Sequence, residues 1–484
     1  MDLTPALDRD GSVPLYMQLY RYIRKQIEAG ALADGDKLPS IRRLASHLGI
    51  SKQTVETVYQ QLLAEGYAES RPRSGLYIMP AWQQPVTGES PSGAMEAGRD
   101  PSGTSGSGAD RGGTAGNGQT RPVRYDFRYG DVDAGIFPVG MLRRCMNEAL
   151  LSSSETLGYG DPQGEPELRG QIAAYLRRSR GVDCEPEQLF LFAGTQQAVG
   201  FLCRHLPLAG RLVAMEEPGY DGVRVMFRLH GCPIAPIPLE EDGIDVKRLR
   251  DSGAGAVYVT PSHQFPMGMV LPVQKRMQLL QWAAERDGYI IEDDYDSEFR
   301  YQGQPIPALK SLDRNERVIY AGTFSKCLFP AARLSYAVVP PHLAARFRAN
   351  AGGESQSVSP LMQKALFLFM KEGYFDRHIR RMRRLYQLKH QAVLRAVRRH
   401  MGERVEAADY NAGLHMILLV KDRDYGELEK LAAHNGVRIY SPLKHWAEPD
   451  PSVRSSVMLG FGGVKEQDIE PGIRLLAEAW FGRR

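Results

Sequence analysis

Apolar residues recur at helical spacing near the start of the chain. Leu15, Leu19, Ile23 and Ile27 share one face of a stretch over 15–29, which Gly30 ends. Ser40 precedes a short amphipathic run, Ile41–Leu48, closed by Gly49. Ser51 precedes a longer one, over 53–65, closed by Gly66. A serine hydroxyl accepts the free amides that open a helix, and glycine takes the left-handed turn that closes one. Three helices are therefore predicted. Residues 67–78 read as two short strands around a turn at Arg71-Pro-Arg73-Ser-Gly75. A helix, a helix–turn–helix and a hairpin together predict a winged helix–turn–helix over residues 1–80.

The pattern stops between Pro80 and Pro122. Ser102-Gly-Thr-Ser-Gly-Ser-Gly and Gly112-Gly-Thr-Ala-Gly-Asn-Gly have almost nothing to bury. Residues 81–122 are expected to be a flexible tether, and a coil of about forty residues spans roughly 35 Å. From 123 to 484 short apolar runs alternate with helical stretches. The runs are Leu189–Phe192, 211–215, Ala256–Val259, 289–292 and 317–320. They predict an α/β domain with a buried, largely parallel sheet. From about residue 340 a basic amphipathic helix over 376–400 and two apolar strands, over 413–420 and 456–461, predict a small α+β lobe.

Composition adds bounds. A chain of 484 residues is too long for one ordinary core, and 43% hydrophobic with 24% charged residues is globular usage. Net charge is only +4. Residues 1–80 hold ten Lys/Arg against nine Asp/Glu, so clustering rather than total charge points to DNA. The five cysteines are scattered, odd in number and form no C-x-x-C. That fits a reducing cytoplasm, with no disulfide framework and no metal site. No signal peptide and no membrane span is expected.

The chemistry concentrates around Lys326. Ile290-Ile-Glu-Asp293-Asp-Tyr295 is an apolar strand ending in acids. Thr323-Phe-Ser325-Lys326, followed by Arg333, is a hydroxyl-flanked lysine with an arginine close behind. A pyridoxal phosphate site needs these groups: a lysine for the Schiff base, an acid for the pyridine nitrogen, hydroxyls and an arginine for the phosphate. Asp293 and Tyr295 are two apart in extended chain and face one side. Glu292 and Asp294 face the other and are read as structural. Gly194-Thr195-Gln196 ends a strand and opens a helix, where amides and hydroxyls suit an anion.

Two resemblances sharpen this. Pro14-Leu-Tyr-Met-Gln-Leu, Gly35-Asp-Lys-Leu-Pro-Ser40-Ile-Arg42-Arg43 and Ser51-Lys52-Gln53-Thr54-Val55 resemble the GntR family of winged-helix regulators. The resemblance implies double-stranded DNA as partner. Ser51, Lys52, Gln53 and Thr54 would meet base edges, Ser40, Arg42 and Arg43 would meet phosphates, and Arg71, Arg73 and Gly75 would form the wing contact. Beyond the tether the chain resembles fold-type I aminotransferases, and as a whole the MocR branch of GntR-type regulators. That implies Tyr220 stacking on the cofactor ring, Tyr295 at its phenolic oxygen, and Thr323, Ser325 and Arg333 on its phosphate. It also implies that Tyr159, beside Gly164, reaches the partner subunit's phosphate in a homodimer.

Three departures bear on function. Phe265 stands where aminotransferases carry an asparagine. Met458 stands where they carry the arginine that holds a substrate carboxylate. Gly222 stands where GABA-responsive members carry another arginine. Arg224, Arg438 and Arg454 are possible substitutes. The expected function is a cytoplasmic regulator that senses pyridoxal phosphate or an amine-bearing effector, with no catalytic residue expected. The alternative is an active aminotransferase carrying a DNA-binding module.

Overall fold

The computed structural model describes residues 3, 5–9, 13–71, 74–79, 122–152, 157–301, 306–408, 412–448 and 453–482. The expected tether, Pro122 apart, lies outside them, as does Arg73. The N-terminal helices are Leu15–Glu28, Ile41–Leu48 and Lys52–Ala64. Ser40 accepts from the Arg43 amide, and Ser51 from that of Thr54. Gly49 and Gly66 take positive φ, +62° and +76°. The hairpin pairs Ala68–Arg71 with Gly75–Ile78, antiparallel. Leu19, Ile23, Ile27, Leu44, Val55, Val58 and Leu62 close one small core beneath it.

Among the described residues eight strands form the large sheet. Across it run Leu189–Phe192, Ser335–Val338, Val318–Thr323, Tyr289–Asp294, Ala256–Val259, Val213–Glu217, Ile234–Glu240 and Gly243–Ile244. The five from Val318–Thr323 to Ile234–Glu240 are mutually parallel. Ser335–Val338 runs antiparallel to both its neighbours, and Gly243–Ile244 antiparallel to Ile234–Glu240. Three of these strands have no counterpart in the sequence reading: Ile234–Glu240, Gly243–Ile244 and Ser335–Val338. Ile234–Glu240 carries two prolines and is mostly half-buried. The other two are short.

Helices after residue 340 do not yet belong to the small lobe. Leu343 and Phe347 pack into one core of the large domain, and Leu366, Phe369, Met382 and Tyr386 into another. The lobe's own core gathers from Val393 onward, and takes Tyr125 and Phe127 from the other end of the domain. Its sheet has three strands: Val405–Ala408, His415–Val420 and Ser456–Gly460. The basic helix Tyr374–His400 buries Ile379, Met382 and Tyr386. No helix among the described residues is long and apolar enough to cross a membrane.

The N-terminal head is joined to the large domain at one seam. The Glu65 carbonyl, at the end of helix Lys52–Ala64, accepts the Val273 amide at 2.9 Å. Val273 opens the helix Val273–Glu285. The Gly66 carbonyl accepts from the Gln274 side chain at 2.5 Å. Two free carbonyls at one helix end thus meet donors at the start of another. Val273 is itself part of the head's core, and Met277 and Leu312 pack against both that core and the large domain's. A Cβ at position 66 would lie 2.9 Å from Gln274 Oε1 and 3.0 Å from Pro272 Cβ. Close approach therefore adds to the φ requirement for glycine there.

Val273→Asp buries a carboxylate in this seam, at a cost of several kcal/mol. Amide exchange over residues 15–78 is expected to rise by about tenfold or more, with strand Tyr289–Asp294 unchanged. Unaltered exchange in the head would show that the seam does not hold it.

Candidate cofactor site and nucleic-acid interface

Three adjacent acids on strand Tyr289–Asp294 are buried, and period-two alternation separates their roles. Glu292 accepts the Leu309 and Lys310 amides, each at 2.8 Å. Asp294 accepts from Arg180 at 2.7 Å and from the Tyr320 hydroxyl at 2.5 Å. Asp293, with Tyr295, faces a cavity of about 220 Å³. The Tyr258 hydroxyl donates to its Oδ2. Its Oδ1 is buried without a hydrogen-bond partner among the described residues. Burial pushes the carboxyl up to about 7, against the Tyr258 hydrogen bond.

Lys326 enters the same cavity from the turn after strand Val318–Thr323. Its Nζ donates to the Gly130 carbonyl at 3.0 Å and lies 4.5 Å from the centre of the Tyr129 ring. Burial pushes its pKa down to about 8, while Asp296 and Asp131 pull it upward. An amine so tuned reaches its neutral, nucleophilic form near physiological pH.

The far end of the cavity is built for an anion. Gly194 caps helix Thr195–His205 at φ +109°, and a Cβ there would stand 2.2 Å from Arg333 Nη2. Only glycine lets the guanidinium lie against the helix start, where it donates to the Ala193 carbonyl at 2.9 Å. The Thr323 and Ser325 hydroxyls are 3.1 Å apart on the same wall. Thr195 and Gln196 open the helix, and the Gln196 side chain donates to Gly222 O at 3.0 Å. The donor set fits pyridoxal phosphate. A buried, unmatched carboxylate oxygen suits a pyridinium hydrogen, the lysine suits an aldehyde carbon, and the glycine–arginine cradle suits a phosphate.

Tyr220 lines the cavity with its ring edge-on to Phe265. A Cβ at position 222 would lie 2.7 Å from Tyr220 Cζ, so Gly222 makes room for that ring. Phe265 and Met458 pack with Tyr295 and Ile417 into an apolar cluster behind the cavity. None of the suggested substitute arginines lines it. Arg224 is held by Glu217 and the His445 carbonyl, Arg438 pairs with Asp126, and Arg454 is exposed. Tyr159 is 89% exposed and does not line the cavity of its own chain. Sequence reasoning gave no role to Tyr129, Gly130, Tyr258, Thr260, His263 and Asp296. Tyr129 and Gly130 follow the tether with no periodicity to mark them, and Tyr258 reads as a strand residue like its neighbours.

In the head, Arg42, Arg43, Lys52 and Gln53 are exposed on the two helix starts. Ser40, Ser51 and Thr54 do capping work. The Ser51 hydroxyl accepts the Thr54 amide at 3.0 Å and contacts the Thr54 hydroxyl at 2.8 Å. Arg71 is tied to Glu69 at 2.6 Å, with its guanidinium 4.4 Å from the Tyr77 ring centre. Gly75, at φ +122°, sits against Lys37, whose Cε would be 3.2 Å from a Cβ there.

Both halves match known families. Residues 15–78 match the family described as "Bacterial regulatory proteins, gntR family" and residues 131–437 that described as "Aminotransferase class I and II". The chain belongs to the GntR-type transcription regulators with an aminotransferase-like domain, the MocR group. It is 40% identical over 482 residues to the "Uncharacterized HTH-type transcriptional regulator YhdI" of Bacillus subtilis, covering 99% of this chain and 98% of that one. It is 37% identical over 477 residues to the "Probable rhizopine catabolism regulatory protein MocR" of Rhizobium meliloti, covering 98% and 95%. The crystal structure of Pyrococcus horikoshii kynurenine aminotransferase superposes with a TM-score of 0.67 at 27% identity, over 74% of this chain and 91% of that one.

A carboxyl raised from 3.8 to about 7 binds more protons folded than unfolded. Its stabilising share is full below the unfolded value and is lost as pH rises toward the folded one. Asp293→Asn should therefore raise the melting temperature of the cofactor-free protein at about pH 8 and flatten its decline from about pH 4 to 7. Thermal denaturation across that range measures it. A lower melting point at pH 8 would show that the carboxylate is not an uncompensated charge.

Proposed function

We propose that this regulator holds pyridoxal phosphate on Lys326, and that occupancy of the pocket by cofactor or by an amine-bearing effector sets the placement of two DNA-reading heads in a homodimer. The observation that carries the reading is the unmatched Asp293 Oδ1 in the same cavity as Lys326. Bound there, the cofactor supplies an aldehyde that condenses with primary amines. Asp293 would hold the pyridine-nitrogen hydrogen. Tyr220 would cover the ring, and Gly194, Thr195, Thr323, Ser325 and Arg333 would hold the phosphate. Tyr159 would act from the partner subunit. The exposed apolar side chains Val139, Met141, Leu150 and Leu151 of helix Val139–Ser152, with Leu157, support burial against a second copy. Two heads would then read two half-sites in the cytoplasm.

Transmission has a short route. Thr260 and Phe265 line the cavity, and the loop they belong to is clamped by Arg276. That guanidinium donates to the carbonyls of Leu271, Pro307 and Pro261 at 2.8, 2.7 and 2.9 Å. Arg276 lies one turn into the helix whose first amide holds Glu65. A shift of the pocket loop is thereby a shift of the recognition helix. The apolar Phe265 in the lining and the absence of Arg224, Arg438 and Arg454 from it favour sensing over turnover, because rapid amino-acid chemistry needs a held carboxylate.

Lys326→Ala should abolish the visible absorbance band and the borohydride-trapped label of the cofactor-loaded protein. A label surviving in the variant would move the attachment elsewhere. Sustained transamination at roughly one per second or faster would favour the enzyme alternative.

Replacing Arg42 by Ala should weaken binding to all DNA sequences and reduce the salt slope by about one. Gln53→Ala should change sequence preference more than general affinity. Electrophoretic titrations at several salt concentrations separate the two, and an unchanged slope would remove Arg42 from the phosphate contacts.

A further inference from the structure

Behind the cavity three groups crowd one atom. His263 Nδ1 lies 3.0 Å from both carboxylate oxygens of Asp296 and 3.0 Å from the Tyr295 hydroxyl. All three residues are buried, Tyr295 being 8% exposed. A ring nitrogen carries at most one hydrogen, and two acceptors compete for it. Asp296 presents both oxygens of an ionisable carboxyl, and a charge-assisted hydrogen bond is roughly twice as strong as a neutral one. The Nδ1 hydrogen therefore belongs to Asp296. A protonated Nδ1 has no lone pair left to accept from the phenol. Tyr295 has no other hydrogen-bond partner among the described residues. Its hydroxyl hydrogen is left for an oxygen in the cavity it lines with Lys326 and Asp293.

The pair is wedged in place. Gly413 has φ +74°, and a Cβ there would lie 2.1 Å from His263 Cε1 and 2.9 Å from Asp296 Oδ2. The Gly413 amide donates to the Phe299 carbonyl at 2.8 Å, and its carbonyl accepts from the Tyr301 hydroxyl. The imidazole thus rests on fixed backbone where the chain enters the small lobe. On the other side Phe265 meets Tyr295 edge-on, with ring centres 5.8 Å apart, and offers it no polar contact.

We propose that His263 and Asp296 are a positioning pair that reserves the Tyr295 hydroxyl hydrogen for the phenolic oxygen of the cofactor, where Phe265 supplies no amide to share that task. The inference rests on the pyridoxal phosphate reading above. It assigns the tuning of that oxygen to a histidine–carboxylate pair acting through Tyr295. His263 touches Tyr295, Asp296 touches His263, and neither lines the cavity, so they act at one remove.

A double-mutant cycle on the full-length protein tests it. Wild type, His263→Ala, Tyr295→Phe and the double variant are loaded with pyridoxal phosphate. Absorbance spectra and cofactor dissociation constants are recorded at one pH. His263→Ala should shift the visible band and weaken the cofactor about tenfold, the scale of one hydrogen bond. In the Tyr295→Phe background the same change should leave the band in place and alter affinity by less than about twofold. Asp296→Asn, which keeps the shape and removes the charge, should shift the band in the same direction as His263→Ala. It also serves if the alanine variant does not fold. A His263→Ala spectrum like that of wild type, or an equal shift in both backgrounds, overturns the proposal. Failure of wild type to form a borohydride-trapped band would instead overturn the cofactor reading itself.

Discussion

The burial of three consecutive carboxyls on one strand is the constraint on which this structure turns. Charges in a low-dielectric interior are tolerated only when paired or hydrogen-bonded. Glu292 is matched by two amides and Asp294 by an arginine and a phenol. Asp293 and Asp294 each keep one bare oxygen, but of the two only Asp293 faces the cavity that also holds a lysine with a lowered pKa. Strand alternation makes this division unavoidable, because the middle acid must point away from its neighbours. The fold therefore holds a buried acid short of one donor, and a ligand that brings that donor binds the folded state selectively.

The features legible in the sequence are the local ones. Helix caps at Ser40 and Ser51, the glycine stops, and the alternation at Asp293 and Tyr295 depend on residues a few positions apart. Contacts between distant segments left no such trace. Tyr258 reaches Asp293 because two parallel strands are neighbours, and Tyr129 reaches Lys326 from the start of the domain. Proline in Ile234–Glu240 hid a strand near the sheet edge, where missing amide donors are tolerated. The small lobe was placed too early because helices after residue 340 look like any amphipathic helix until their partners are known. Arg71, read as a wing contact from its charge, also pairs with Glu69 and lies over the Tyr77 ring, neighbours that the charge pattern alone did not reveal.

The join between the halves follows from helix ends. Helix termini carry unmatched carbonyls and amides, and the recognition helix offers its last carbonyls to the first donors of Val273–Glu285. An end-to-end contact of this kind is directional, since neither helix can rotate without breaking it. Side-chain packing by Val273 and Met277 then removes the seam from water. The head is thus attached by a joint with defined angles, and the long connecting segment need not transmit anything.

Under the proposed sensing role, that joint lets the site act without holding a substrate carboxylate. A catalyst must hold its substrate in a reacting geometry through each turnover. A sensor needs only that two states of the pocket bind the ligand unequally. On the proposed reading, the lysine, Asp293 and the Gly194–Arg333 cradle would discriminate a filled pocket from an empty one. Phe265, which lines the cavity, and Met458, which does not, pack together in one apolar cluster with Tyr295 and Ile417. On the proposed reading, the loop that carries Phe265 is the one whose position Arg276 would relay to the head. In this arrangement affinity for a ligand and the angle of the recognition helix draw on the same loop, so selection for one constrains the other.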